Sequence, residues 1–174
     1  MKRLRRPPRS FTCLLGAGLL FSVMLPALAD DARDAAIDQD MARMKTAMQS
    51  KDEATLVDMM YEPIVQAGGG RDQVLAQAKS LADKVDFTSF EINKPYRYFS
   101  GQQNDYVTVP THLLMTINGH HFDSVSFELG IKAHQTEKWE YVDGAGISPQ
   151  LRTQLFPDLP QDAVLPEHSV KQID

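Results

Sequence analysis

Between Asp86 and Gly144 the chain alternates apolar and polar residues with a period of two, the signature of strands rather than helices. From Asp105 to Ile117 the odd positions are Val107, Val109, Thr111, Leu113, Met115 and Ile117. From His121 to Ala133 they are Val125, Phe127, Leu129, Ile131 and Ala133, opposed by Ser124, Ser126, Glu128 and Lys132. Each stretch predicts a strand with one buried and one wetter face. Ile117-Asn118-Gly119-His120 between them is a hairpin turn. A two-residue loop would pair Ile117 with His120 and mix apolar with polar residues on both faces. A three-residue loop pairs Val109 with Phe127 and Val107 with Leu129, and sets Gly119 at a left-handed bulge position. The one-faced pattern favours the second register. Pro110 has no N–H for a ladder, so a bulge or an unpaired site is expected there.

Two weaker strands flank this hairpin. Phe87 to Phe99 carries Phe90, Ile92, Tyr96 and Tyr98 on one parity, with a bend at Pro95. Lys138 to Asp143 is short, with Trp139 and Tyr141 on one face. Short polar linkers between successive strands imply an antiparallel meander.

The first 29 residues read as an export leader. Lys2, Arg3, Arg5, Arg6 and Arg9 precede an apolar run from Phe11 to Leu25, and Ala27-Leu28-Ala29 is a small-residue cleavage site. The run falls short of the roughly 20 apolar residues of a membrane span. A periplasmic or secreted location follows, with no membrane attachment after cleavage. Cys13, the one cysteine in the sequence, lies inside this leader, so the mature chain has neither disulfide nor thiolate metal site. The 174-residue chain has a formal charge of −5; without the leader, with its five basic and no acidic residues, it has 145 residues and a charge of −10. Such a balance argues against nucleic acid and anionic membranes as partners.

The mature N-terminal half reads as helices. Ile37, Met41, Met44 and Met48 form one apolar stripe over 30–49. Ser50-x-x-Glu53 is a capping box for a second helix with Leu56, Val57, Met60 and Tyr61, ended by Pro63. Residues 63–67 suggest a short strand. Gly68-Gly69-Gly70 interrupts the chain, and 71–85 predicts a third helix. Ser148-Pro149 starts a short C-terminal helix, and Pro157, Pro160 and Pro166 impose an extended tail. The expected class is therefore α+β: N-terminal helices on a curved antiparallel sheet, then a short helix and tail. The expected divisions are a leader at 1–29, the domain at 30–146, and the tail at 147–174.

The order of elements, the Gly70-Arg71-Asp72 helix entry and the late Trp139-Glu140-Tyr141-Val142-Asp143 strand resemble the nuclear transport factor 2-like superfamily, which includes SnoaL-like polyketide cyclases and ketosteroid isomerase. The closing Leu155-Phe156-Pro157-Asp158-Leu159-Pro160 is similar to exported members of that group. The resemblance implies a cone-shaped (cystatin-like) roll, a pocket between sheet and helices, and dimerisation through the sheet. It implies no single activity.

Candidate chemistry is sparse. On the parity expected to face the helices, Asp105, Asp123 and Asp143 are nearly the only titratable groups; Asp143 and Asp123 are the candidate bases of an enzyme. His112 falls on the opposite parity. His121 and Asp123 share a face near the hairpin tip but are too few for a metal site, and the Met41, Met44, Met48 stripe is core filler rather than a copper site. Gly68-Gly69-Gly70-Arg71 lacks the Lys-Ser/Thr of a phosphate loop. Tyr61, Tyr98, Trp139 and Tyr141 are candidates to line an apolar pocket. The leading expectation is a non-enzymatic exported domain that binds a small apolar ligand or a protein partner, without metal or cofactor. The alternatives are a SnoaL-like isomerase, cyclase or hydrolase, and a structural homodimer joined through Tyr106, His112, Ser126 and Glu128.

Overall fold

A computed structural model describes residues 25–173, with side-chain surroundings from Ala32 onward. The expected leader lies outside the described residues except for 25–29, which begin the first helix. The architecture is mixed α+β, with five α-helices and a six-stranded antiparallel sheet. The elements run α1 (Leu25–Ser50), α2 (Glu53–Met59), α3 (Glu62–Ala67), α4 (Arg71–Ala82), β1 (Val85–Ile92), β2 (Arg97–Ser100), β3 (Asn104–Ile117), β4 (His120–Ala133), β5 (Glu140–Asp143), α5 (Pro149–Leu155) and β6 (Ser169–Gln172).

The long hairpin β3–β4 forms the middle of the sheet. β1 and β2 lie end to end along the outer side of β3, and β5 and β6 do the same along β4. Pro110 explains the first break. β1 pairs with residues 111–117 of β3 and β2 with 105–108, so the proline sits where the neighbouring strand is interrupted. Its carbonyl still accepts from the Asn93 N–H at 2.9 Å, and no partner asks it for a donor. The expected bulge is elsewhere, on β1 between Phe87 and Ser89.

The hairpin register corrects the sequence reading. Ile117 pairs with His120, so the loop is the two-residue Asn118-Gly119 turn. Both residues are left-handed, with φ of 52° and 85°, as a type I′ turn requires. Val109 therefore pairs with Glu128 and Val107 with Gly130, while Phe127, Leu129 and Ile131 pair with Pro110, Thr108 and Tyr106. The apolar parities of the two strands point to opposite faces, because both faces are covered. On one face Ile37, Met41 and Met44 of α1 pack with Met59, Phe90, Val107, Val109, Trp139 and Tyr141. On the other, Phe156, Leu159 and Ala163 of the C-terminal segment pack with Tyr106, Phe127, Leu129 and Ile131. Each such buried large side chain contributes about 1.5–3 kcal/mol, so neither cover is incidental. A third cluster, Val57, Val65 and Val74, joins α2, α3 and α4.

Polar anchors hold both covers. On α1, Asp34, Asp38 and Asp40 accept hydrogen bonds from the hydroxyls of Tyr98, Tyr96 and Tyr141. On the far face Asp158 accepts from the Gln103 and Asn104 N–H groups at 2.8 and 3.0 Å, from the Asn104 side chain, and from the Tyr106 hydroxyl. Burial raises the Asp158 pKa, but these donors outweigh it and hold the carboxyl below its ordinary range.

Smaller corrections have local causes. The cap of α2 is Asp52, which accepts from Thr55 N–H at 3.1 Å, whereas the Ser50 hydroxyl turns back to the Thr46 carbonyl. Pro63 opens α3 instead of ending α2, and 63–67 is helical. Val85 leaves α4 and starts β1, and the expected 87–99 strand is two strands. The extended tail ends in β6, which the sequence did not announce.

Candidate functional site

A cavity of about 530 Å³ opens between the helices and the β4–β5 side of the sheet. Its walls are apolar and rich in thioethers: Met44 and Met48 from α1, Met59 from α2 and Met60 just after it. Ile64, Ala67 and Ala78 of α3 and α4 extend them, and the rim carries Leu81 and Leu151, 61% and 37% exposed. Two carboxyl groups interrupt this lining, Glu128 and Asp143.

Both arrive by strand register. Glu128 lies on the helix-side parity of β4 and is the direct partner of Asp143 on β5. Side chains of directly opposed residues project together, with Cβ atoms about 5 Å apart. Glu128 is 8% exposed, and no described residue donates a hydrogen bond to its carboxyl group. Burial, and secondarily the nearby Asp143 charge, push its pKa up to about 8, so at neutral pH it is largely the neutral acid. Asp143 is more exposed and already engaged: its Oδ1 accepts from the Ser126 hydroxyl and from the Ala145 N–H, both at 3.0 Å. The second bond caps the turn at Gly144–Gly146. Tyr141 completes the polar set; its hydroxyl donates to Asp40 at 2.8 Å, and burial raises its pKa.

The expected site residues are thus dispersed. Of Tyr61, Tyr98, Trp139 and Tyr141, only Tyr141 lines this cavity. Tyr61 stacks on Phe156, centroids 5.5 Å apart, on the side of the C-terminal segment. The Tyr98 ring lies 3.6 Å beneath the Arg33 guanidinium, and Trp139 packs in the helix-side core. Asp143 is at the cavity, whereas Asp123 is on the opposite face with its carboxylate 2.8 Å from His112 Nε2. Glu91 flanks the same histidine at 3.7 Å. The four residues expected at a dimer interface do not share a surface: Tyr106 and His112 lie on one face of the sheet and Ser126 and Glu128 on the other, and Tyr106 is wholly buried.

Glu128 is the residue that reading the sequence missed. An acidic residue at the centre of Val125-x-Phe127-x-Leu129-x-Ile131 reads as outward-facing when the apolar parity is assigned to the interior. The Asn118-Gly119 dipeptide carried the correct register, and that register brings Glu128 under the helices.

Among the described residues there is no group of three or more His, Cys, Asp or Glu side chains able to hold a metal, and no helix is long and apolar enough to cross a membrane. No protein-family model, curated protein or solved structure matches the chain.

Proposed function

We propose that this protein is an exported, non-enzymatic binder of a small apolar molecule, held in the methionine-walled cavity. The observation that carries the reading is the cavity itself. Its 530 Å³ falls within the range of small-molecule sites, and its lining combines apolar walls with a few convergent polar groups. Methionine suits such walls, because flexible thioether side chains adapt to varied shapes. Export is supported by the basic start, the apolar run and Ala27-Leu28-Ala29. N-terminal sequencing of the mature protein is expected to begin at Asp30. A cone-shaped sheet of the nuclear transport factor 2 type is also part of the reading, supported by helices preceding an antiparallel meander. A C-terminal segment covering the second face departs from that simple picture.

The test uses an uncharged apolar dye, N-phenyl-1-naphthylamine, whose fluorescence rises out of water. Saturable binding near one dye per chain is expected, and Met48→Trp, which fills the cavity, should abolish it while leaving the fold intact by circular dichroism. Equal binding to the filled variant would refute the reading.

One observation favours an enzymatic alternative, an isomerase or cyclase. A carboxyl group titrating near 8 inside a cavity is suited to proton transfer at neutral pH. In that case Glu128, with Asp143 beside it, would be the base. Incubation with apolar ketones in D₂O would then give protein-dependent deuteration next to the carbonyl, absent in Glu128→Gln. A lack of exchange across such a panel counts against it.

A further inference from the structure

The titratable groups that line the cavity are all acids. α1, α2, α3, α4 and α5 supply only apolar side chains to it, α2 through Leu56, Val57 and Met59. β4 supplies Glu128, and β5 supplies Tyr141 and Asp143. The lining therefore contains no lysine, arginine or histidine.

Such an arrangement is poor for the protein alone. Two carboxyl groups sit directly opposite each other across β4 and β5, so ionising Glu128 would set like charges side by side, which destabilises a sheet. Glu128 is more than nine-tenths buried yet accepts no hydrogen bond from a described residue. A carboxyl group left without a donor in such surroundings is unfavourable, and more so as a charge. A ligand supplying both hydrogen-bond donors and positive charge would relieve both problems together. Asp143 is prepared for the same partner. Its Oδ1 is held by Ser126 and Ala145, which fixes the carboxylate and leaves Oδ2 for a ligand.

We propose that the cavity takes an apolar amine, with its hydrocarbon body against the methionine walls and its ammonium group between Glu128 and Asp143. This rests on the ligand-binding reading above and adds the chemical class of the ligand. An alkyl carboxylate would meet the Asp143 charge and no base, so sign disfavours it. An alcohol would satisfy one hydrogen bond to Glu128 and leave the Asp143 charge unanswered. Ionic pairing inside a cavity of low polarity gains more than the same pair at the surface, provided the donors of the ammonium group are met. The proton balance is explicit. The amine arrives as R–NH₃⁺, Glu128 arrives mostly as the neutral acid, and pairing leaves R–NH₃⁺ beside the Glu128 carboxylate with one proton released to solvent.

The experiment is isothermal titration of the mature protein with n-octylamine, n-octanol and octanoate, three probes of one chain length. Titrations at pH 7 are repeated in two buffers of different ionisation enthalpy, which counts the protons released. Octylamine should bind at least 10-fold more tightly than octanol and release close to one proton per amine, and octanoate should bind weakest. Glu128→Gln should lose that preference and the proton release while binding octanol within about 2-fold. Octanol binding that equals octylamine binding would overturn the amine class and leave the apolar-ligand reading standing. Octanoate binding that exceeds octylamine would do the same. Failure of all three probes, together with failure of the neutral dye, would overturn both.

Discussion

Replacing Glu128 by glutamine should change how stability depends on pH, and the size of the change follows from the site. The carboxyl titrates at 4.5 when unperturbed and at about 8 in the fold. The native state therefore binds more protons than the unfolded chain throughout that interval. Stability must fall as pH rises from about 4.5 to about 8, and be level outside it. The contribution of the neutral acid is fully present below 4.5 and is lost once the folded carboxyl has ionised. At 1.36 kcal/mol per unit, the interval amounts to about 5 kcal/mol, a large share of the 5–15 kcal/mol typical of a domain. Glutamine keeps the shape and never ionises. The variant should match the parent to within about 1 kcal/mol at pH 4 and exceed it by several kcal/mol at pH 9. Urea denaturation at half-unit steps of pH, followed by the fluorescence of Trp139, the one tryptophan and 5% exposed, measures both chains. Subtracting one curve from the other removes every group the two share. A difference that stays constant from pH 4 to 9 would show that Glu128 is not buried as described. Asp143→Asn should narrow the interval by lowering the Glu128 pKa, since that charge is its second cause.

Three further outcomes are expected. Asp158→Ala removes a carboxyl that accepts from two backbone N–H groups, an amide and a phenol, and should cost about 3 kcal/mol, with faster hydrogen exchange at Gln103 and Asn104. Because the folded Asp158 pKa is lowered, its contribution holds above the unfolded value near 3.9 and is lost as pH falls through the folded value, so acid unfolding of this variant should be the shallower. Phe156→Ala opens a cavity between Tyr61 and Tyr106 and should cost about 3–5 kcal/mol by denaturant midpoint. Gly119→Val forces a β-branched residue to φ 85° and should cost at least about 1 kcal/mol by the same measurement, although nothing lies within 4 Å of its added Cβ.

The extent of the two long strands was legible because alternation is a local property. Asp105 to Ile117 and His121 to Ala133 needed at most one further residue at an end. What joined them was not legible from alternation, because parity shows which residues share a face and not what covers that face. Assuming one greasy face forced the wrong hairpin register. The second cover comes from Phe156, Leu159 and Ala163, whose sparse spacing among prolines gives no period to read. The error then passed to the site. With Phe127 and Leu129 turned inward, Glu128 reads as a solvated residue and the four aromatic residues as one pocket, although Tyr61 packs on the face of the C-terminal segment and Tyr98, Trp139 and Tyr141 on the helix face. Asp143 lies at the cavity because its short strand gives it the same parity as Tyr141. The α1 aspartates were invisible as anchors, since their tyrosine partners lie 58 to 101 residues away in the chain.

The C-terminal cover also sets an order of events for the nascent polypeptide. The hairpin can close from local contacts as soon as residue 133 is available, but it would then present Tyr106, Phe127, Leu129 and Ile131 as a bare greasy slab. That slab is shielded only when residues 156–163 arrive, and β4 gains its last neighbour only with residues 169–172. Early release, or a truncation that stops before Phe156, therefore yields a chain primed to stick to its own kind rather than a shortened working protein.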